Sequence, residues 1–273
     1  MAIEIERRRL TRADSFRRSW LSRGRLIQIL AILVVLGLWE FIGLREGDFF
    51  LAPPTSVISA FGEVISDGEL WSTCKETIEG ILIGFVIAMV IGIVLGILMG
   101  TYRPVAQALN PLVSAGYVVP EAALVPLLII WFGLGMTPRI VAVVLFSVFE
   151  IIVTTYAGVR NVDPMMIDVA RSFGAKRRQI FRQVIFVGAL PYIFTGLRIG
   201  AARAVKGMVV AELLFAAAGI GGAIQISANA YRTDKVMVWV ILVTIIGVCF
   251  AGLVQLVERL WMRSWHESYA RQR

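Results

Sequence analysis

Two long apolar runs are separated by Asn161-Val162-Asp163-Pro164-Met165-Met166-Ile167-Asp168-Val169-Ala170-Arg171-Ser172-Phe173-Gly174-Ala175-Lys176-Arg177-Arg178-Gln179-Ile180-Phe181-Arg182-Gln183-Val184. Asp163 followed by Pro164 is a helix start: a carboxylate to cap, then a ring whose fixed φ suits the first turn. Gly174 marks where that short helix can stop. A second helix then runs from about Lys176, with Ile180, Phe181, Val184 and Ile185 on one face and Arg177, Arg178 and Arg182 toward the other. The pattern of helix, glycine, helix describes a compact projection with a polar end.

Working outward, the flanking runs are long enough to cross a bilayer. Apolar stretches fall at about 26–44, 80–101, 105–132, 139–159, 189–216 and 236–257, each near or above the ~20 residues that span the hydrocarbon. The chain has 273 residues, 58% of them hydrophobic and 17% charged, and its mean hydropathy is +0.79. Charges this few and this clustered exclude a water-soluble domain. The expected fold is an all-α polytopic membrane protein with six transmembrane helices over 26–260.

The net charge of +8 is explained by orientation. Basic residues crowd the segment 1–25, the 102–104 turn, the 160–188 loop and the tail 261–273 with its approach, nineteen in all against five on the other side. Such an excess places that face, and both termini, in the cytoplasm. The sign therefore reads as topology and does not call for a nucleic-acid partner. The first run lacks a small-residue cleavage site and follows too long a basic arm for a signal peptide, so it is expected to stay as a span.

Inside the spans the informative residues are few. Gly80, Gly84, Gly92, Gly96 and Gly100 recur four apart or in multiples of four, which permits close helix approach, either to a neighbour within the chain or to a second copy. Pro111, Pro120 and Pro126 predict a kinked third span, with Glu121 near its middle. A carboxylate there is either the partner of an arginine on another span or part of a solute path. The fifth span carries Arg198, Arg203, Lys206 and Glu212. Arg203 and Lys206, three apart, form one cationic patch suited to an anion, or else ion-pair with Glu121, Glu150 or Glu212. Between the first two spans, Pro53-Pro54 and the apolar spacing of Val57, Ile58, Phe61, Val64 and Ile65 predict a surface amphipathic helix over about 56–69.

Catalytic chemistry is not visible. Cys74 and Cys249 are expected at different depths, His266 is the single histidine, and no GxxxxGK[ST] phosphate loop occurs. No metal-ligand cluster and no activated nucleophile is apparent, so no catalytic residue, cofactor or metal is assigned to this chain.

The loop also carries a resemblance. Asp168-Val169-Ala170 with Gly174 resembles the cytoplasmic EAA loop of ABC importer permeases. Phe50-Leu51-Ala52-Pro53-Pro54-Thr55-Ser56-Val57, Pro126 through Gly135, Ala170-Arg171-Ser172-Phe173-Gly174-Ala175, Ala189-Leu190-Pro191-Tyr192-Ile193 and Val210-Ala211-Glu212 are similar to the nitrate/sulfonate/taurine permease family. The resemblance covers the chain from about Phe49 to the end of the sixth span. It departs where Asp168-Val169 replaces Glu-Ala and where Phe186-Val187 replaces a Leu-Pro.

The resemblance implies a type I ABC importer permease, sitting in a bacterial inner membrane, with a short coupling helix at Pro164–Phe173. It implies docking of Asp168, Ala170, Arg171, Ser172, Gly174 and Ala175 into an ATP-binding cassette subunit. ATP and Mg would then belong to that partner pair, with a second permease copy and an extracytoplasmic solute-binding protein completing the assembly. Arg198, Arg203, Lys206, Glu121 and Glu212 are the candidates for the path of a small anionic solute moved by alternating access. The alternative is a self-sufficient secondary transporter or channel that uses Glu121, Glu150 and Glu212 as ion sites.

Overall fold

A computed structural model describes residues 26–47, 49–215 and 218–270, the last nine of these as backbone alone. The basic arm 1–25 and the side chains of the tail lie outside the described residues. Helices α1 Leu26–Glu46, α2 Pro54–Ser66, α3 Glu69–Thr101, α4 Arg103–Val118, α5 Glu121–Phe132 and α6 Met136–Arg160 form the first half. Then follow α7 Pro164–Ser172, α8 Arg177–Ile180, a π-turn over Phe181–Ile185, α9 Phe186–Phe215, α10 Gly219–Asn229 and α11 Thr233–Ala270. Among the described residues there is no strand.

The core is a three-helix seam of α3, α6 and α9, and glycines set its spacing. A Cβ at Gly84, Gly92, Gly96 or Gly100 would come within 2.5–2.7 Å of Val143, Ile151, Thr155 or Val159. Each pair is offset by the same 59 positions, so α3 and α6 run parallel in a fixed register. The repeated small residues therefore serve packing inside this chain, where close backbone approach replaces the hydrophobic drive that lipid lacks. Gly158, Gly196, Gly200 and Gly207 do the same between α6 and α9, meeting Tyr192, Thr154, Ile151 and Phe146. Here the partner number falls as the other rises, so that pair is antiparallel.

Parallel α3 and α6 require the chain to cross back between them. That return is α4 followed by α5, two helices bent by 98° at Val119 and Pro120, both extended. The sequence predicted one kinked span over 105–132; the structure breaks it. Pro120 lacks an N–H and disfavours helical backbone at Val119, so the ladder ends there and restarts at Glu121. Among the described residues five helices are long and apolar enough to cross alone, and the bent pair, taken as one broken span, makes a sixth.

The second helix of the 161–187 loop runs without a break into the fifth span, α8, the π-turn and α9 being continuous from Arg177 to Phe215. Helix α10, unforeseen, follows the fifth span. The ends of α7, α8 and α11 share one face with the end of α6; α2, α10 and the starts of α3, α6 and α11 share the opposite face. On that far face Arg232 holds Glu63 at 2.8 Å and Asp234 at 2.8 Å, tying α2 to α11.

Candidate functional sites

The projection formed by α7 is built by its own sequence. Asp163 accepts a hydrogen bond from the Met165 N–H at 2.9 Å, and Pro164 occupies the first turn, which removes orphan donors at that end. At the other end the Ala175 N–H reaches the Ala170 carbonyl at 3.0 Å and the Gly174 N–H reaches that of Arg171 at 2.9 Å. This paired closure needs a left-handed residue, and Gly174 supplies it at φ +76°. No residue of α7 is buried. Met165, Met166, Val169 and Phe173 stand exposed, Phe173 at 86%, while Asp168 and Arg171 pair on the surface at 3.2 Å.

A second constellation lies within the membrane at the α4–α5 break. Arg203 on α9 reaches Glu121 at 3.0 Å and Glu150 on α6 at 2.7 Å. The Tyr117 hydroxyl donates to Glu150 at 3.2 Å, and its ring lies 5.8 Å from the guanidinium. Two carboxylates on one arginine leave no free positive charge, so Arg203 and Lys206 do not make a shared cationic patch. Lys206 stands elsewhere, exposed over an apolar cavity of about 620 Å³ between α9 and α11 that Val205, Val209, Val243 and Gly247 help to line. Among the described residues no carboxylate pairs with it. Arg198 lies beside Glu258 on α11, 3.9 Å away.

The third constellation is buried near the far face. Thr77 on α3 donates to Glu212 at 2.8 Å and accepts the Ile220 N–H at 2.9 Å. Glu212 accepts the Gly221 N–H at 2.9 Å. Two orphan donors at the start of α10 are thus satisfied by side chains from α3 and α9. Arg139 on α6 donates to Glu76 at 2.8 Å and lies 3.8 Å from Glu212. Arg139, at the very start of the fourth apolar stretch, is only 5% exposed; its Nε donates to the Gly135 carbonyl and its charge faces the two glutamates. Beside this cluster Ser72, Thr73, Glu76 and Ser227 help to line a cavity of about 300 Å³.

Sequence reasoning foresaw the pairing of Arg203 with Glu121 or Glu150 as one of two readings. It missed Thr77, Glu76 and Arg139, whose only signal is a charge or hydroxyl within one or two turns of a span's end.

Residues 80–263 match the family described as binding-protein-dependent transport system inner membrane component. The chain belongs to this family. Among similar permeases, an aliphatic sulfonates transport permease protein of Escherichia coli is 37% identical over 80% of this chain and 83% of the relative. The riboflavin transport system permease protein of Chloroflexus aurantiacus is 34% identical over 91% and 92%, and the taurine transport system permease protein of Escherichia coli 33% over 90% and 92%. In fold, an amino acid ABC transporter chain aligns with a TM-score of 0.60 at 19% identity, over 73% of this chain and 97% of that one. The methionine ABC transporter MetNI in an inward-facing form gives 0.53 at 20%, over 71% and 93%. The protein is therefore a multi-pass membrane component of the type I importer fold, and its role is transport, not enzymatic conversion.

Proposed function

We propose that this permease is the membrane-spanning half of an ATP-driven importer, in which α7 docks into a separate ATP-binding subunit. The observation that carries this reading is α7 itself: nine residues capped at both ends, free of buried contacts, and displaying Met165, Met166, Val169 and Phe173 toward solvent. An apolar row on a rigid exposed helix is costly unless a socket receives it. Asp168, Ala170, Arg171, Ser172, Gly174 and Ala175 make up the docking segment, which would lie on the cytoplasmic face with both termini. ATP and Mg would be held by the partner pair, which leaves this chain without a cofactor. A second permease copy would complete the path, and a binding protein would deliver solute at the far face.

Closure of the ATP-binding pair would draw two α7 helices together, and the seam of α3, α6 and α9 would rock as a unit between inward- and outward-facing states. A small anion is the solute this reading assigns. Lys206, exposed and without a carboxylate partner, supports it, as do the sulfonate and taurine permeases among the relatives. The alternative of a self-sufficient transporter loses its support in the geometry, since Glu121, Glu150 and Glu212 are each engaged by arginine, hydroxyl or backbone donors.

The test is reconstitution of the chain alone and then with an ATP-binding subunit and binding protein. ATP-dependent uptake only in the complete assembly is expected. Uptake by the chain alone, insensitive to ATP, overturns the proposal. Within the assembly Lys206→Ala should lower anion uptake while leaving the melting temperature unchanged; unchanged uptake removes the anion assignment.

A further inference from the structure

Where the α7 projection joins the membrane, α8 and the π-turn form a feature that neither docking nor the solute path uses. Lys176, Arg178, Gln179, Arg182 and Gln183 line a pocket of about 410 Å³. All five are exposed, and among the described residues no carboxylate pairs with any of the three cations. The opposite side of the same turn is apolar and turned inward: Ile180 is buried, and Val184 and Ile185 are half-buried. That packing fixes the rotation of the turn and commits Arg178 and Arg182, four apart, to the outside. The π-turn at Phe181–Ile185 adds a residue to the helix just where it enters its apolar run, a distortion common at functional positions.

We propose that this pocket binds the phosphodiester headgroup of an anionic phospholipid from the surrounding leaflet. Two arginines offer forked donors that match phosphate oxygens, lysine adds a point charge, and the two glutamine amides can hydrogen-bond a polar headgroup. Depth favours lipid over a soluble anion. The pocket opens at the N-terminal end of the 39-residue helix Arg177–Phe215, which runs on into the fifth apolar span, and a basic cluster beside the end of a span is placed to read an anionic leaflet. A lipid held there would brace the joint between α7 and α9 and so stiffen the lever through which α7 moves α9. Lipid capture itself does not depend on the transport reading; the effect on coupling does.

The experiment uses the full transporter in nanodiscs of phosphatidylcholine, with or without phosphatidylglycerol, comparing wild type with K176Q/R178Q/R182Q. Phosphatidylglycerol retained after detergent transfer is counted by native mass spectrometry. Each basic residue near an anionic surface is worth roughly a fivefold change in affinity, so retention in the triple variant should fall by more than about tenfold. Phosphatidylglycerol should raise ATP hydrolysis of the wild type and not of the variant, and inorganic phosphate added to neutral discs should not substitute for it. Equal retention in both proteins overturns the lipid site. So does a variant that fails to assemble with the ATP-binding subunit in either lipid, because the cations then belong to the protein interface. Stimulation by inorganic phosphate in neutral discs also overturns it, in favour of a soluble anion.

Discussion

At the residue scale the far-face cluster turns on Thr77, an uncharged side chain with two tasks. It donates a hydrogen bond to Glu212 and accepts one from the Ile220 N–H, and it is fully buried. Thr77→Val keeps the shape and strands both partners, a change worth about 1–3 kcal/mol. The melting temperature of the purified chain should fall, whereas Thr77→Ser should recover most of it. An unaltered melting temperature in Thr77→Val means that α10 does not rely on this cap. Arg203→Ala should likewise destabilise by leaving Glu121 and Glu150 facing each other without a cation, and Arg203→Ala with Glu150→Gln should be milder than the single change. Arg203 is 35% exposed at its side chain, so the cost lies below that of a fully buried pair. The charged members at mid-span could be found in the sequence because a charge in an apolar run is conspicuous. Thr77 could not, because a hydroxyl there looks like any small residue until its partners are known.

At the element scale the legible features are those whose cause is local. Helix α7 begins and ends where Asp163-Pro164 and Gly174 say it should, since both caps are made within a few residues. The opposite case is α10: Gly219-Ile220-Gly221-Gly222 looks like a breaker, and the helix forms because Thr77 and Glu212 cap it from α3 and α9. The proline kink was visible, but its 98° bend was not, since a proline marks where a helix breaks and not the angle at which the next one leaves. One test belongs here. Gly174→Val forces a β-branched residue into a left-handed position and breaks the paired closure of α7. Membrane insertion should be unaffected, and stimulation of the partner ATPase should drop by an order of magnitude or more. Normal stimulation in an assembled Gly174→Val complex would falsify the docking role of α7.

At the scale of the whole molecule the two faces differ in chemistry, and that difference can be titrated. On the far face Arg232 and Lys235 hydrogen-bond Glu63, with Arg232 the stronger influence, and hold its carboxyl below the ordinary carboxylate range. Hydrogen bonds to Asp234 first, and then to Glu63, push the Arg232 guanidinium above its ordinary value. A carboxyl whose folded value is lowered stabilises the fold above its ordinary range, and that contribution fades as pH falls through about 4.3 and below. The melting temperature of Glu63→Gln should thus lie below wild type at neutral pH, with the gap closing in acid. A gap that widens on acidification contradicts the sign. The opposite face carries Arg103, Arg160, Arg171, Lys176, Arg177, Arg178 and Arg182 with few acids beside them. Asymmetry of this kind orients a polytopic chain with its basic loops inside, and the parallel packing of α3 and α6 fixes every other helix end once one face is assigned. A single pair of cysteines therefore reads the whole topology. With Cys74 and Cys249 replaced by alanine, Trp71→Cys on the far face should react with an impermeant maleimide in intact cells. Asn161→Cys at the end of α6 should react only after the membrane is opened. The reverse pattern would invert the molecule and move α7 to the side where no ATP-binding subunit could reach it.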